Sequence, residues 1–107
     1  MKKIKNALYT CILAGAIVIS SGLIASAVEV DGGTWNYGYG TFYTYSNYYH
    51  SHNKNGAKVV NRNNGAKNWA NAGSGVWAYS SIGNVWAPAS FYYHPVNHYD
   101  SNGNAIR

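Results

Sequence analysis

Aromatic rings and basic side chains are the residues of this 107-residue chain whose types and spacing could do chemistry. Tyr and Trp rings combine apolar area with a polar handle, so they bind partners well, stack on sugars and lie comfortably at membrane interfaces. Lysine and arginine bind phosphate through charge-assisted hydrogen bonds. The candidate target-binding residues are therefore Trp35, Tyr37, Tyr39, Tyr43, Tyr45, Tyr49, Lys54, Lys58, Arg62 and Lys67.

A structural role is an equally good alternative for each of these residues taken alone. The ring would then belong to the core, and the lysine would only solvate one face of the protein. The number of rings favours a surface role for some of them, because both faces of the segment 42–50 carry aromatic residues. The sequence alone leaves open which of its two faces lies inside.

Metal binding has weak support. Two pairs of histidines, two and four residues apart, are the candidate ligands for zinc or copper: His50 with His52, and His94 with His98. A zinc site needs three or four ligands in fixed geometry, whereas acids are few and the one cysteine, Cys11, lies near the N-terminus. We predict no metal and no cofactor, with surface or turn positions for these histidines.

Enzyme chemistry has even less support. The three acidic residues, Glu29, Asp31 and Asp100, all fall outside the predicted strands, so a paired acid/base site is not indicated. Ser90, His94 and Asp100 could be drawn as a triad, but sequence spacing does not establish triad geometry. We predict a protein that is not an enzyme.

The N-terminus has the organisation of an export signal. Three lysines precede an apolar run, which ends at the small residues Ala25-Ser26-Ala27. This order predicts a helical secretory signal peptide over residues 1–27, with Ala25 and Ala27 at the positions read by signal peptidase. The alternative is a membrane anchor, but the run is about 14 residues long and a span needs about 20. The predicted location is therefore extracellular, after cleavage.

Removal of residues 1–27 changes what the composition implies. Five basic and three acidic residues remain, so the net charge falls from +5 to +2, which is too thin a basic footprint for nucleic acid. Cys11 leaves with the signal, so the exported domain has no disulfide. Small secreted domains usually depend on disulfides, and here the many aromatic rings must supply the buried area instead.

Alternating residues and turn signals predict an all-β domain over residues 34–94. Residues 28–33 are expected to be a flexible leader, 66–74 a loop, and 95–107 a polar tail that is flexible or a loose hairpin. Turns are expected at Ser51–Gly56, where Asn55-Gly56 is a hairpin signal, and at 63–65. Short strands between such turns favour an antiparallel sandwich or barrel. The expected strands are 34–39, 42–50, 57–62, 75–81 and 87–94.

Five segments in order resemble the lactococcin 972 family of secreted bacteriocins. They are Gly33-Thr-Trp-Asn-Tyr-Gly-Tyr-Gly40, Tyr45-Ser-Asn-Tyr-Tyr-His50, Ala57-Lys-Val-Val-Asn61, Ala72-Gly-Ser-Gly-Val-Trp-Ala78 and Ala89-Ser-Phe-Tyr-Tyr93. The chain departs from the family pattern in the loop 66–74, in the turn 82–88 and in residues 94–107, which extend past the usual aromatic end.

The resemblance implies a small antiparallel β-sandwich without disulfides, and an antibacterial protein that acts outside the cell. It implies binding of the cell-wall precursor lipid II and a block of septum formation in related bacteria, without pores. Self-association, as in a homodimer, and a producer immunity system are also implied. A non-lethal module that binds cell-wall glycans is the alternative function. A membrane-permeabilising toxin is less favoured, because no amphipathic helix or long alternating hairpin supports it.

Overall fold

The computed structural model describes residues 16–19, 26–83 and 88–107. Eight strands lie in these residues, and none of the described segments forms a helix. The strands are β1 (Ala16–Ile19), β2 (Ser26–Val30), β3 (Gly33–Tyr39), β4 (Tyr43–His50), β5 (Asn55–Asn61), β6 (Lys67–Ala72), β7 (Trp77–Gly83) and β8 (Ala89–His94).

The strands form two four-stranded antiparallel sheets, which confirms the predicted all-β sandwich. One sheet has the order β1-β8-β5-β6, and the other has the order β2-β3-β4-β7. The sequence has one cysteine, so no disulfide can form within the chain. Among the described residues there is no helix that could cross a membrane.

Aromatic rings fill the space between the two sheets. Trp35 and Tyr48 from one sheet meet Tyr93 from the other, with ring centroids 4.6 and 4.9 Å from the Tyr93 ring. Tyr37 lies 5.3 Å from Phe91. Such pairs contribute about 0.5–1.5 kcal/mol each beyond the area they bury. Rings therefore stabilise this core in the absence of a disulfide, as expected.

The structure shows which face of β4 lies inside the sandwich. Thr44, Ser46, Tyr48 and His50 are buried between the sheets, and the odd-numbered positions face outward. Small hydroxyl side chains on the inner face leave room for the large rings of β3 and β8. The three outward tyrosines of β4 are Tyr43, Tyr45 and Tyr49.

Residues 28–33, expected to be a flexible leader, belong to a hairpin. Val28–Val30 pair with β3, and Asp31-Gly32 form the turn with φ angles of 50° and 82°. Positive φ at both central positions is what a two-residue type I′ hairpin requires, and Asp-Gly suits it. The prediction of a flexible leader over residues 28–33 left this hairpin turn out.

Two other expectations differ from the structure. The segment expected as a loop at 66–74 contains β6, which pairs with β5. Asn55-Gly56 begins β5 instead of forming a hairpin turn, and residues 51–54 connect β4 of one sheet to β5 of the other. Gly56 lies beneath the ring of Tyr99, where an added Cβ would be 2.9 Å from Cδ2 of Tyr99, so a close contact explains this glycine.

Residues 95–107, expected to be a flexible tail or a loose hairpin, pack against the β1-β8-β5-β6 sheet. Tyr99 is buried and forms a bridge with Ala105. Asn71 holds the backbone of Tyr99 through both its N–H and its carbonyl group. We refer to residues 95–107 as the C-terminal segment.

The expected helical signal peptide lies mostly outside the described residues, as do Ala25 and Trp86. The described part, Ala16–Ile19, is the edge strand β1 and not a helix; it pairs with Ala89–Tyr92 of β8. Ala27 belongs to β2, opposite Asn36. Cleavage after Ala27 stays a prediction.

Candidate functional site

Five aromatic side chains cover the outer surface of two neighbouring strands. Strands β4 and β7 are antiparallel partners, and their outward positions pair Tyr49 with Trp77, Asn47 with Tyr79, and Tyr45 with Ser81. The period of two in both strands sends every ring of this set to the solvent side. We call this surface the outer ring face, and its rings are Tyr43, Tyr45, Tyr49, Trp77 and Tyr79.

Three of these rings form a continuous stack. The ring centroids of Tyr49 and Trp77 are 5.4 Å apart with planes inclined by 36°, and those of Trp77 and Tyr79 are 5.9 Å apart with planes inclined by 20°. Tyr79 is 65% exposed, which is far more than a core ring allows. The stack therefore presents aromatic surface to solvent.

A shallow cleft of about 470 Å³ lies beside this stack. Its polar groups are phenol hydroxyls, the Asn47 amide and serine hydroxyls, which can direct hydrogen bonds toward a hydroxyl-rich ligand. The side-chain oxygen of Asn47 accepts the N–H of Ser80, which fixes the amide in place. The lining residues are Tyr43, Tyr45, Asn47, Tyr79, Ser80 and Ser81.

The phenol of Tyr45 stays protonated in this cleft. Partial burial raises its pKa above the ordinary 10.0, and the neighbouring Tyr43 raises it further. At neutral pH Tyr45 therefore offers a hydroxyl that donates and accepts a hydrogen bond.

The three candidate rings of β3 do not belong to the outer ring face. Trp35 and Tyr37 are buried in the core, because their positions in β3 point between the sheets. Tyr39 packs against the core, and its hydroxyl accepts the N–H of Ala89. These three rings hold the sandwich together.

The candidate basic residues are divided between the opposite sheet and two connections. Lys58 and Lys67 project from the outer side of β5 and β6, on the far side of the sandwich from the outer ring face. Arg62 is exposed in the turn after β5, and Lys54 is exposed in the connection after β4. The sequence predicted one surface of rings and cations, whereas the structure separates most of the cations from the rings.

Trp77 and Tyr79 were absent from the predicted site. Their alternation within one strand was visible in the sequence, but the partner strand was not. The pairing of β4 with β7 is long-range, so only the register places Trp77 opposite Tyr49. A search for aromatic residues on the same face of every predicted strand would have found both.

The four histidines make hydrogen bonds within the fold. Nδ1 of His50 accepts the N–H groups of His52 and Asn53, at 3.1 and 3.0 Å. His98 and His94 bond to backbone carbonyls of Ala72 and Ile106. The described ranges contain no group of three or more His, Cys, Asp and Glu residues that could hold a metal ion.

The three carboxylates have structural partners as well. Glu29 accepts the hydroxyl of Thr34, and Asp31 accepts the hydroxyl of Tyr93 at 2.5 Å. Asp100 accepts the N–H groups of Asn102 and Asn104, which lowers its pKa below the ordinary 3.8. None of these partners is a nucleophile held by a general base.

The fold and the outer ring face define a class: a small β-sandwich, free of disulfides, with an exposed aromatic surface. The family model for the bacteriocin lactococcin 972 matches residues 31–93. The chain therefore belongs to the lactococcin 972 family of bacteriocins, which confirms the resemblance seen in the sequence. Family membership supports an exported, antibacterial and non-enzymatic role.

A solved structure of lactococcin 972 is similar to this chain. The two share 43% sequence identity with a TM-score of 0.52, over 58% of this chain and 96% of the solved one. No curated protein sequence matches the chain. The family match ends at residue 93, so the C-terminal segment lies beyond it.

Proposed function

We propose that this protein is a secreted bacteriocin that stops the growth of related bacteria by binding lipid II at the membrane surface and blocking septum formation. The signal peptide would direct export and be removed by cleavage after Ala27, at the Ala25-Ser26-Ala27 motif. The outer ring face would bind the disaccharide of lipid II. The proposal rests on family membership for the antibacterial role and on the geometry of one surface for the target.

The stack of Tyr49, Trp77 and Tyr79 is the observation that carries the choice of target. Sugar rings have apolar C–H faces that pack on flat aromatic side chains, while their hydroxyls need polar partners beside the ring. The outer ring face offers a flat stack next to a cleft with phenol, amide and hydroxyl groups. This combination suits a disaccharide better than a purely apolar ligand.

Lys54 is the candidate partner for the pyrophosphate. It is exposed in the connection that follows β4, and Tyr49 lies at the same end of that strand. An ammonium there is accessible to an anion that enters from the end of the outer ring face. Lys58 and Lys67 belong to the other sheet, so they are not part of this proposed site.

The decisive experiment is a growth-inhibition assay with a competitor. The secreted form, spotted on lawns of related bacteria, should produce a clear zone, and added lipid II should suppress it. Absence of a zone on every relative would reject the antibacterial role. A zone that lipid II does not suppress would reject the target and leave the antibacterial role in place.

Variants locate the site on the protein. Tyr79→Ser removes an exposed ring from the stack, and we expect a smaller zone with unchanged folding. Val96→Ser is the matched control, because Val96 is 55% exposed and lies in the C-terminal segment. Equal loss in both variants would contradict a site on the outer ring face.

A non-lethal binding module for cell-wall glycans is the second candidate, because the same stack fits sugars outside lipid II. This function predicts that the protein is retained on intact walls while growth continues. Growth arrest at concentrations that saturate the wall would exclude it. Dye release from liposomes separates both functions from permeabilisation, which would produce leakage.

A further inference from the structure

A second surface with rings and cations lies on the opposite side of the sandwich, on the outer face of β8, β5 and β6. The register places Tyr92, Lys58 and Trp69 directly opposite one another on these three strands. The ammonium of Lys58 is 5.3 Å from the ring centroid of Tyr92, and that of Lys67 is 6.0 Å from the ring of Trp69. We call Tyr92, Lys58 and Trp69 the ring–lysine row.

The C-terminal segment occupies this row. Nζ of Lys58 donates a 2.6 Å hydrogen bond to the carbonyl oxygen of Gly103. A Cβ added to Gly103 would lie 2.8 Å from the indole of Trp69, so the backbone of Gly103 packs closely against that ring. The carbonyl group of Gly103 thus accepts the hydrogen bond from Lys58, while the Cα of the same residue packs against the indole of Trp69.

Hydrogen bonds and one buried ring hold the segment on the sheet. Tyr99 is its one large buried ring, whereas Val96 and Ile106 are exposed. Asn71 makes two hydrogen bonds with the backbone of Tyr99, and His98 bonds to the carbonyl of Ala72. Elements with few buried apolar contacts open locally at lower free energy than the core does.

His94, which is buried at the end of β8, holds both ends of the segment. Its Nε2 donates to the carbonyl of Ile106 at 2.5 Å, and its Nδ1 accepts the N–H of Val96 at 3.5 Å. Only the bond to Val96 needs the neutral imidazole, because a protonated ring has no acceptor, whereas Nε2 still donates to Ile106 after protonation. Protonation of His94 therefore removes the hydrogen bond to Val96. It also buries a positive charge next to the residue at which the C-terminal segment begins.

Burial lowers the pKa of His94, and the hydrogen bond from Nε2 to the Ile106 carbonyl, which favours the charged ring, offsets only part of that effect. Tyr99 packs its ring edge-on, 5.9 Å away, and the nearby His98 lowers the pKa of His94 further. The other charged side chains described on the outer face of this sheet are Lys58 on β5 and Lys67 on β6, and both are positive. The nearest carboxylate in the segment, Asp100, is engaged with the backbone of residues 102 and 104.

We propose that the ring–lysine row is an interaction surface for anionic, phosphate-bearing membranes, and that the C-terminal segment is a cover released when His94 is protonated. Exposed Trp and Tyr with flanking lysines suit the boundary between headgroups and water. Lipid phosphates replace the Gly103 carbonyl as the acceptor for Lys58. An anionic membrane also attracts protons, so it favours release at its own surface.

The surface lies on the other side of the sandwich from the outer ring face, so this proposal stands or fails separately from lipid II binding. The test is co-sedimentation of the secreted form with vesicles of phosphatidylcholine, with or without about one-third phosphatidylglycerol. Between about pH 7.5 and about pH 5, partitioning onto the anionic vesicles should rise about tenfold or more. Equal partitioning at both pH values, or an equal rise on neutral vesicles, would overturn the proposal.

Two pairs of variants separate the row and the histidine from general charge effects. Lys58→Gln should weaken binding at about pH 5 by about fivefold, the contribution of one lysine near an anionic surface. Lys54→Gln removes one positive charge from the connection after β4, and it should weaken vesicle binding less than Lys58→Gln does. His94→Gln should abolish the pH dependence, whereas His52→Gln, at an exposed position, should retain it.

Removal of the cover tests its role directly. A chain that ends at Pro95 should bind anionic vesicles at about pH 7.5 as well as the complete protein does at about pH 5. If that chain does not fold, Asn71→Ala replaces it, because it deletes both side-chain bonds to Tyr99 and leaves the segment present. A folded uncovered variant that stays in solution at neutral pH would refute the proposal.

Discussion

The indole N–H of Trp35 donates to the hydroxyl of Ser46 at 2.9 Å, and that hydroxyl donates to the carbonyl of Tyr92 at 2.8 Å. Trp35 and Ser46 belong to one sheet and Tyr92 to the other. The buried hydroxyl of Ser46 thus gives the indole N–H of Trp35 a hydrogen-bond partner and links the two sheets. Such links matter here because no covalent cross-link joins the sheets.

Ser46→Ala should lower the free energy of unfolding by about 1–3 kcal/mol, because it leaves the indole N–H and the Tyr92 carbonyl without their buried partner. Urea unfolding, followed by fluorescence, measures this difference. Ser81→Ala is the control, since Ser81 is exposed on the neighbouring strand, and it should stay within about 0.5 kcal/mol of the unchanged protein. Equal stability of the two variants would contradict the role given to Ser46.

Gly33 begins β3 where the chain has no room for a side chain. A Cβ there would lie 2.2 Å from the carbonyl oxygen of Tyr49 and 2.5 Å from the hydroxyl of Tyr48. Gly33→Ala should therefore destabilise the protein by about 3 kcal/mol or more, because backbone must move to relieve the overlap. Gly73→Ala is the matched control, with no atom within 4 Å of the added carbon. Thermal unfolding of both variants would show whether they differ as expected.

Asp31 supports the β2–β3 turn in two ways. Its backbone has a positive φ of 50°, and its carboxylate accepts the hydroxyl of Tyr93. Asp31→Ala should cost about 1–3 kcal/mol, because it removes the acceptor and Ala tolerates positive φ poorly. Asp31→Asn keeps an acceptor and a residue that adopts positive φ, so it should cost less. Equal losses in the two variants, measured by urea unfolding, would contradict this explanation.

The sequence predicted the strands better than it predicted their partners. Period-two patterns with Gly and Asn turns located β3, β4, β5, β7 and β8, because side-chain alternation is a local property. The burial of Trp35 and the exposure of Trp77 depend on which sheet faces which, and that is long-range information. The sequence also did not predict that the C-terminal segment is ordered. Its polar residues form hydrogen bonds with backbone groups that are distant in the sequence, such as the Ala72 carbonyl.

The same long-range information decided the candidate site. Tyr43, Tyr45 and Tyr49 were predicted and lie on the outer ring face, whereas Trp77 and Tyr79 join them only through the β4–β7 register. Lys58 was predicted as a phosphate ligand on the same surface as the rings. The structure places it on the other sheet, beside Tyr92 and Trp69.

His94 makes stability depend on pH. Burial lowers its pKa below the ordinary 6.5, and the bond to Ile106 offsets only part of that effect. Below pH 6.5 the unfolded chain binds a proton at this residue that the folded chain does not. The stability contributed by neutral His94 is thus complete above that pH, and it is lost as the pH falls toward the lower folded pKa.

Urea unfolding between about pH 7.5 and about pH 5 measures this dependence. His94→Gln should flatten the curve in the acidic half. His52→Gln should leave its shape unchanged, because His52 is exposed on the surface. A curve for His94→Gln that falls as steeply as that of the unchanged protein would assign the pH dependence to other groups.

Trp77 reports on sugar binding by the outer ring face. A soluble oligosaccharide of N-acetylglucosamine that stacks on Trp77 should change the tryptophan fluorescence in a saturable way, because the indole is partly exposed between Tyr49 and Tyr79. Trp77→Phe should lose most of this change and still bind by calorimetry, since a flat ring remains. Trp77→Ala should weaken binding by about tenfold, which corresponds to the loss of one aromatic contact. Binding by Trp77→Ala at the affinity of the unchanged protein would place the sugar elsewhere, because Trp77 is the central ring of the stack.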